Sequence, residues 1–152
     1  MPVIIMNSKN IDAYTSMKEN MGAPEGIKLP PNCFIEMDGK FLEHKENDFL
    51  RMSFPVQEKY CNPAGNLLGG MVSAFFDNTF GPFSYMTAKK PTTSLDLNVT
   101  FIKSISPKEK ELIVEAKIVK LTKTFIIFEG KAYNPSNELI ATSTSRMMIL
   151  GR

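Results

Sequence analysis

The chain reads as an α+β protein in which a curved antiparallel sheet of about six strands wraps one central apolar helix. Three observations carry this. The run from Leu68 to Met86, LGGMVSAFFDNTFGPFSYM, is nearly all apolar or small. It is too long for a strand and so reads as a buried helix. The segments after it alternate apolar and polar residues and are joined by short connections, the pattern of antiparallel strands. A length of 152 residues suits one domain with a sizeable core.

Composition bounds the class. Hydrophobic residues make up 43% and charged residues 22%, ordinary for a globular protein and unlike a disordered, collagenous or coiled-coil chain. The 18 basic and 16 acidic residues leave a net charge of +2 with no dense basic block, so no nucleic-acid partner is expected. His44 is the single histidine, which excludes sites that need two, such as a zincin helix. No metal or cofactor is expected. Cys33 and Cys61 form neither a CxxC motif nor a disulfide framework, and a reduced setting fits them. Residues 1–10 lack a basic n-region, and no apolar stretch reaches the roughly 18 residues of a membrane span. A cytoplasmic protein without a membrane partner is the expectation.

In chain order, Ser8–Asn20 reads as a short helix with Ser8 as its N-cap. Gly22–Asn32 is rich in Gly and Pro and reads as a connector. Residues 1–32 are therefore an N-terminal helix and connector, and residues 33–152 a single domain. Phe34–Lys45 and Asp48–Glu58 read as two extended stretches around a turn at Glu46-Asn47-Asp48. Tyr60–Gly70 is a loop by composition. The apolar helix follows, and Gly81-Pro82 should end or kink it, since proline removes a helix hydrogen bond. A helix apolar on all sides must be wrapped by other structure.

Beyond the helix, Leu95, Leu97, Val99 and Phe101 fall on one strand face and Asp96, Asn98 and Thr100 on the other. Leu112, Val114, Ala116 and Ile118 repeat the pattern against Glu115 and Lys117. Phe125–Tyr133 is a third strand, Asn134-Pro135-Ser136-Asn137 a turn and Leu139–Leu150 a fourth strand. Ser104–Lys110 is the loosest joint. A sheet of this kind has open edges and gives the helix too little cover, so dimerisation would help with both.

Chemistry concentrates at Asp77, the one charged residue between Lys59 and Lys89, set in the middle of the apolar helix. An unpaired buried carboxylate is costly, so Asp77 must be paired, protonated or placed at a pocket. The plain alternative is that it meets a polar neighbour or solvent. The second feature is the loop Asn62-Pro63-Ala64-Gly65-Asn66-Leu67-Leu68-Gly69-Gly70. A glycine pair opening a helix offers free N–H groups at the positive end of the dipole, suited to an oxyanion or a thioester carbonyl. A plain loop-to-helix entry is equally open. Asp77 lies roughly 80° around the helix from Gly69; it cannot reach Gly69, but the two can flank one groove, within a chain or across a dimer.

Asn62-x-x-Gly65-x-x-Leu68-Gly69-Gly70, followed by Asp77 and Gly81, resembles the motif of the PaaI-like hotdog thioesterases, N-x-x-G-x-x-H-G-G with a later Asp. Thr92–Phe101 resembles the strand that follows the helix in that family, and the likeness runs from about Phe34 to Leu150. The resemblance implies the hotdog fold and an acyl-CoA thioesterase acting on a small, medium or aromatic acyl group. It implies Asp77 as general base or nucleophile, and backbone donors at Gly69 and Gly70. Asn62 would hold the carbonyl and Ser94 would place the attacking water. Leu68, Gly65 and Asn78 are the implied substrate contacts. It also implies a homodimer, or a dimer of dimers, with Asp77 of one copy facing the glycine turn of the other.

The chain departs from the motif at Leu68, which stands at the family's histidine position and cannot donate a hydrogen bond. Losing one such donor costs on the order of 10² to 10³ in rate. Two readings therefore stand: a thioesterase, and a non-catalytic binder of acyl-CoA or another lipophilic ligand. A hydratase is disfavoured because no histidine lies near the motif. The residues Phe75, Phe76, Phe80, Phe83 and Tyr85 read as core, with some lining an acyl tunnel. Lys89, Lys90, Lys103, Lys108 and Lys110 read as solvated surface, with some meeting coenzyme A phosphates. Cys61 has no histidine to activate it as a nucleophile.

Overall fold

A computed structural model describes residues 4–5 and 26–151 of the chain. The expected Ser8–Asn20 helix lies outside the described residues. Seven strands form one sheet: β1 (Ile4–Ile5), β2 (Lys40–Lys45), β3 (Phe49–Pro55), β4 (Thr92–Phe101), β5 (Glu111–Leu121), β6 (Phe125–Tyr133) and β7 (Leu139–Ile149). Helix α1 (Asn32–Met37) precedes β2, and helix α2 (Gly69–Ala88) lies between β3 and β4. The spatial order is β1-β2-β3-β5-β6-β7-β4, with every pair antiparallel. This is the hotdog architecture: a sheet of six long strands, extended at its edge by the short β1, with one long helix packed on it.

The helix is seated by its phenylalanines. Phe75, Phe76, Phe80 and Phe83 recur at helical spacing and are fully buried. Phe75 stacks on Phe54 of β3 with centroids 4.5 Å apart. Phe76, Phe80, Phe128 and Phe83 form a continuous chain of rings. Under those rings the sheet is built from small residues: Ala116, Gly130 and Ser143 lie side by side across β5, β6 and β7. A Cβ on Gly130 would come within 2.8 Å of Phe80 Cζ and 2.9 Å of Phe76 Cδ1. The missing side chain is what lets the helix approach so closely.

Burial covers only one side of α2. Asp77, Asn78, Gly81 and Tyr85 are half-buried, so the helix expected to be wrapped on all sides keeps an open face among the described residues. Of the two outcomes expected at Gly81-Pro82, an end or a kink, the end does not occur, because α2 continues through Pro82 to Ala88. Pro82 is buried in the packed layer, and the Gly81 carbonyl accepts a hydrogen bond from Ser84 Oγ at 2.7 Å. The helix ends instead at Lys89, whose left-handed backbone returns its N–H to the Tyr85 carbonyl at 2.8 Å.

Three further expectations are revised. Phe34–Met37 is helical rather than extended: α1 follows Pro31 and inserts Phe34 between Phe41 and Phe54. Ser104–Lys110 is tied down. Ile105 is buried and its carbonyl accepts from Leu67 N–H, while Ser106 and Glu109 form a capping box. On β4, Leu95 does not share a face with Leu97 and Val99. A register shift between Ser94 and Asp96 in the pairing with β7 leaves Leu95 as the extra residue, 48% exposed. The turn at Glu46–Asp48 forms as expected, with Asn47 in the left-handed region.

Two measurements check this packing. Gly130→Ala should lower folding stability by about 1–3 kcal/mol, because its methyl group collides with two buried rings; a urea midpoint equal to that of the wild type would contradict the close approach. His44 packs edge-on against Phe83 with centroids 5.8 Å apart, and its burial lowers the imidazole pKa from 6.5. The unfolded chain then takes up its proton first, so stability falls as pH drops from about 6.5 towards the folded pKa. Urea titrations between pH 7.5 and 5 should show a steeper loss for the wild type than for His44→Gln.

Candidate active site

Asp77 projects from the open face of α2, with Phe76 and Phe80 turned into the core. Its Oδ1 accepts a hydrogen bond from Ser94 Oγ at 2.9 Å. The pair depends on the β4 bulge. Ser94 lies opposite the buried Met147, and beyond the bulge Leu97 and Val99 lie opposite Ser145 and Ser143. Without the extra residue at Leu95, strict alternation would turn Ser94 away from the helix whenever Leu97 faced it.

Asp77 and Ser94 open onto a cavity of about 290 Å³ whose walls include Leu29, Gly81, Tyr85 and Met147. The carboxylate thus meets both a hydrogen-bond donor and a pocket. Asn78 lines the same cavity. Its Nδ2 donates to the Ala74 carbonyl at 3.0 Å and contacts Met37 Sδ at 3.3 Å, and its Oδ1 accepts from Cys33 Sγ at 3.9 Å. Asn78 therefore ties the pocket wall to α1.

The glycine loop builds a different place. Asn62 Oδ1 accepts from Ala64 N–H at 3.0 Å and Asn66 N–H at 3.2 Å, closing a tight turn that includes Gly65 at φ +79°. This use of Oδ1 leaves Nδ2, a donor, as the Asn62 group available to a ligand. Leu68 is the N-cap of α2, with no side-chain cap bond, and is 50% exposed. Its carbonyl accepts from the N–H groups of Met71 and Val72, while those of Gly69 and Gly70 meet no acceptor among the described residues. The Phe101 ring rests on Gly69, where a Cβ would lie 3.0 Å from Cζ. Asn62 and Gly69 line a second cavity of about 350 Å³ together with Phe101, Lys103 and Ser104.

Within one chain the nominated residues therefore fall into two groups. Asp77, Asn78 and Ser94 share one cavity, Asn62 and Gly69 another, and Gly65, Leu68 and Gly70 border neither. The four phenylalanines of α2 are core, whereas Tyr85 lines the Asp77 cavity. Lys103 is paired with Glu138 at 2.8 Å. The wall segment Ile27–Pro31 was missed in the sequence, where it reads only as connector. Its apolar residues Ile27 and Leu29 are the faint signal that it covers something.

Residues 64–141, just over half of the chain, match the family described as the thioesterase superfamily. No curated protein matches the chain in sequence. Among solved structures, the PaaI protein of E. coli, from the phenylacetic acid degradation operon, is similar at a TM-score of 0.75. It has 13% identity, over 95% of this chain and 97% of that one. Thioesterase superfamily member 2 of Mus musculus aligns at a TM-score of 0.70 with 22% identity, over 96% of this chain and 100% of that one. A thioesterase of Haemophilus influenzae aligns at a TM-score of 0.71 with 15% identity, over 78% of this chain and 82% of that one. At these identities the likeness to solved structures establishes the fold.

Stability separates a structural carboxylate from a functional one. Aspartate is a poor residue for a helix interior, and its partly exposed bond to Ser94 is worth at most about 1 kcal/mol. Asp77→Ala should therefore melt at or above the wild-type temperature. A loss greater than about 2 kcal/mol would make Asp77 a structural group.

Proposed function

The chain belongs to the thioesterase superfamily, and we propose that it hydrolyses an acyl-CoA thioester using Asp77 as general base. The observation that carries this reading is the Asp77–Ser94 pair at the mouth of a cavity. Ser94 occupies Oδ1, which leaves Oδ2 to take a proton from water. The water oxygen attacks the thioester carbon, the carbonyl electrons move onto oxygen, and the tetrahedral intermediate collapses with cleavage of the C–S bond. The proton held by Asp77 returns to the departing thiolate. The products are a carboxylic acid and a free thiol.

The developing oxyanion needs donors, which the N–H groups of Gly69 and Gly70 and Asn62 Nδ2 can supply. Asn62 and Gly69 line the other cavity of the same chain and Gly70 follows Gly69 at the helix entry, so the complete site needs a second copy to bring them to Asp77. The outer edge of β4 supports that assembly. It has no strand partner among the described residues, and Leu95, Phe101 and Ile102 are exposed along and beyond it. We assign the catalytic unit to residues 33–152, with the segment 1–32 contributing the wall at Ile27–Pro31. No helix among the described residues is long and apolar enough to cross a membrane. The free thiols of Cys33 and Cys61 suit a reducing compartment, and the cytoplasm is our assignment.

Leu68 favours a second reading. Half-exposed at the helix entry, it offers no proton and no hydrogen bond where the family motif has histidine. A protein that binds acyl-CoA without cleaving it would keep the cavity and the glycine turn. Thiol release from acetyl-, hexanoyl-, phenylacetyl-, benzoyl- and palmitoyl-CoA separates the two. For a thioesterase, Asp77→Asn should lower kcat by at least about 100-fold with little change in KM. Undiminished turnover in that variant would sink the proposed mechanism. Ligand-dependent rises in melting temperature without thiol release would establish the binder.

A further inference from the structure

Asp77, Gly81 and Tyr85 follow one another at intervals of about one turn on the open face of α2, and all three line the same cavity. Gly81 is the gap in that row. The fold itself gives no reason for a glycine there. It lies inside a helix, with none of the positive φ angles that Gly26, Gly65 and Gly151 adopt. No neighbour fills its place either: a Cβ on Gly81 would meet nothing within 4 Å, whereas one on Gly130 would strike two phenyl rings. Glycine in a helix interior is less stable than alanine, so this position gives up helix stability and leaves the freed space to the cavity.

We infer that Gly81 is the specificity-determining residue of the site, the position whose absent side chain makes room for the acyl group. This rests on the reading that the reacting carbonyl sits at Asp77. The acyl group would run from Asp77 across Gly81, between Leu29 on one wall and Met147 on another. Tyr85 stands about 12 Å along the helix axis from Asp77, and the lined run goes no farther along α2. The class that fits is a short to medium aliphatic chain or a single ring; a fully extended long chain exceeds the space.

The test compares kcat/KM for hexanoyl-CoA and acetyl-CoA in the wild type, Gly81→Ala and Gly81→Leu. A methylene in an apolar pocket is worth roughly 10- to 200-fold in discrimination. The hexanoyl-to-acetyl ratio should therefore fall by at least about tenfold in Gly81→Leu, and by less in Gly81→Ala. Both variants put a better helix former into open space, so a melting temperature no lower than that of the wild type confirms folding. An unchanged ratio in folded Gly81→Leu overturns the inference. The hydrolase reading itself fails only if no thioester of the five is cleaved; if the wild type cleaves neither of these two, the same ratio is taken from dissociation constants measured by calorimetry. A fall there upholds the role of Gly81 in a binding protein. An unchanged ratio, or no binding of either thioester by the wild type, overturns it.

Discussion

The close seating of α2 on the sheet is the constraint on which the rest depends. Phe76 and Phe80 occupy the space where a side chain on Gly130 would stand, flanked by Ala116 and Ser143. Bulkier residues in that row would push the helix outward and break the ring chain from Phe76 through Phe128 to Phe83. The same contact sets the rotation of the helix. With its phenylalanines turned into the sheet, the helical repeat leaves Asp77, Asn78, Gly81 and Tyr85 on the other face. The catalytic candidate and the cavity beside it therefore follow from where the rings are buried.

Rotation alone does not complete the site. Asp77 acquires its hydrogen bond because β4 carries one residue more than its partner β7 requires. The bulge at Leu95 turns Ser94 towards the helix while keeping Leu97 and Val99 against the core. The glycine turn lies apart from the Asp77–Ser94 pair. Leu68 provides no side-chain cap, and the N–H groups of Gly69 and Gly70 meet no acceptor among the described residues, yet the loop that presents them opens onto a separate cavity. One chain thus holds Asp77 and the glycine turn at two separate cavities; the proposed mechanism unites them through a second copy.

Most of the fold was legible in the sequence because it rests on periodicity. The alternation in β5, β6 and β7 and the apolar run of α2 each mark an element by the face it buries. The readings that failed are those in which a tertiary contact overrides a local rule. Gly81-Pro82 signals an end or a kink, and with Pro82 and Phe83 packed in the core the helix does not end there. Phe34–Met37 is too short for its helical spacing to stand out, and α1 follows Pro31 and packs through Phe34. The looseness expected of Ser104–Lys110 is cancelled by the buried Ile105 and a local capping box.

By itself the sequence determined the kind of protein this is. A lone carboxylate in an apolar helix, a glycine pair at its entry and alternating strands after it mark both the architecture and the candidate site residues. Those signals are local: each depends on composition, or on spacing within one element. The tertiary structure decided what those residues meet. Ser94 reaches Asp77 through a bulge that strict alternation does not show, Asn62 spends Oδ1 on its own loop, and Gly81 opens a cavity where Gly130 closes a contact. The two glycines are the same residue in the sequence. Only the distance to the next packed atom separates one that leaves space beside a cavity from one that seats a helix.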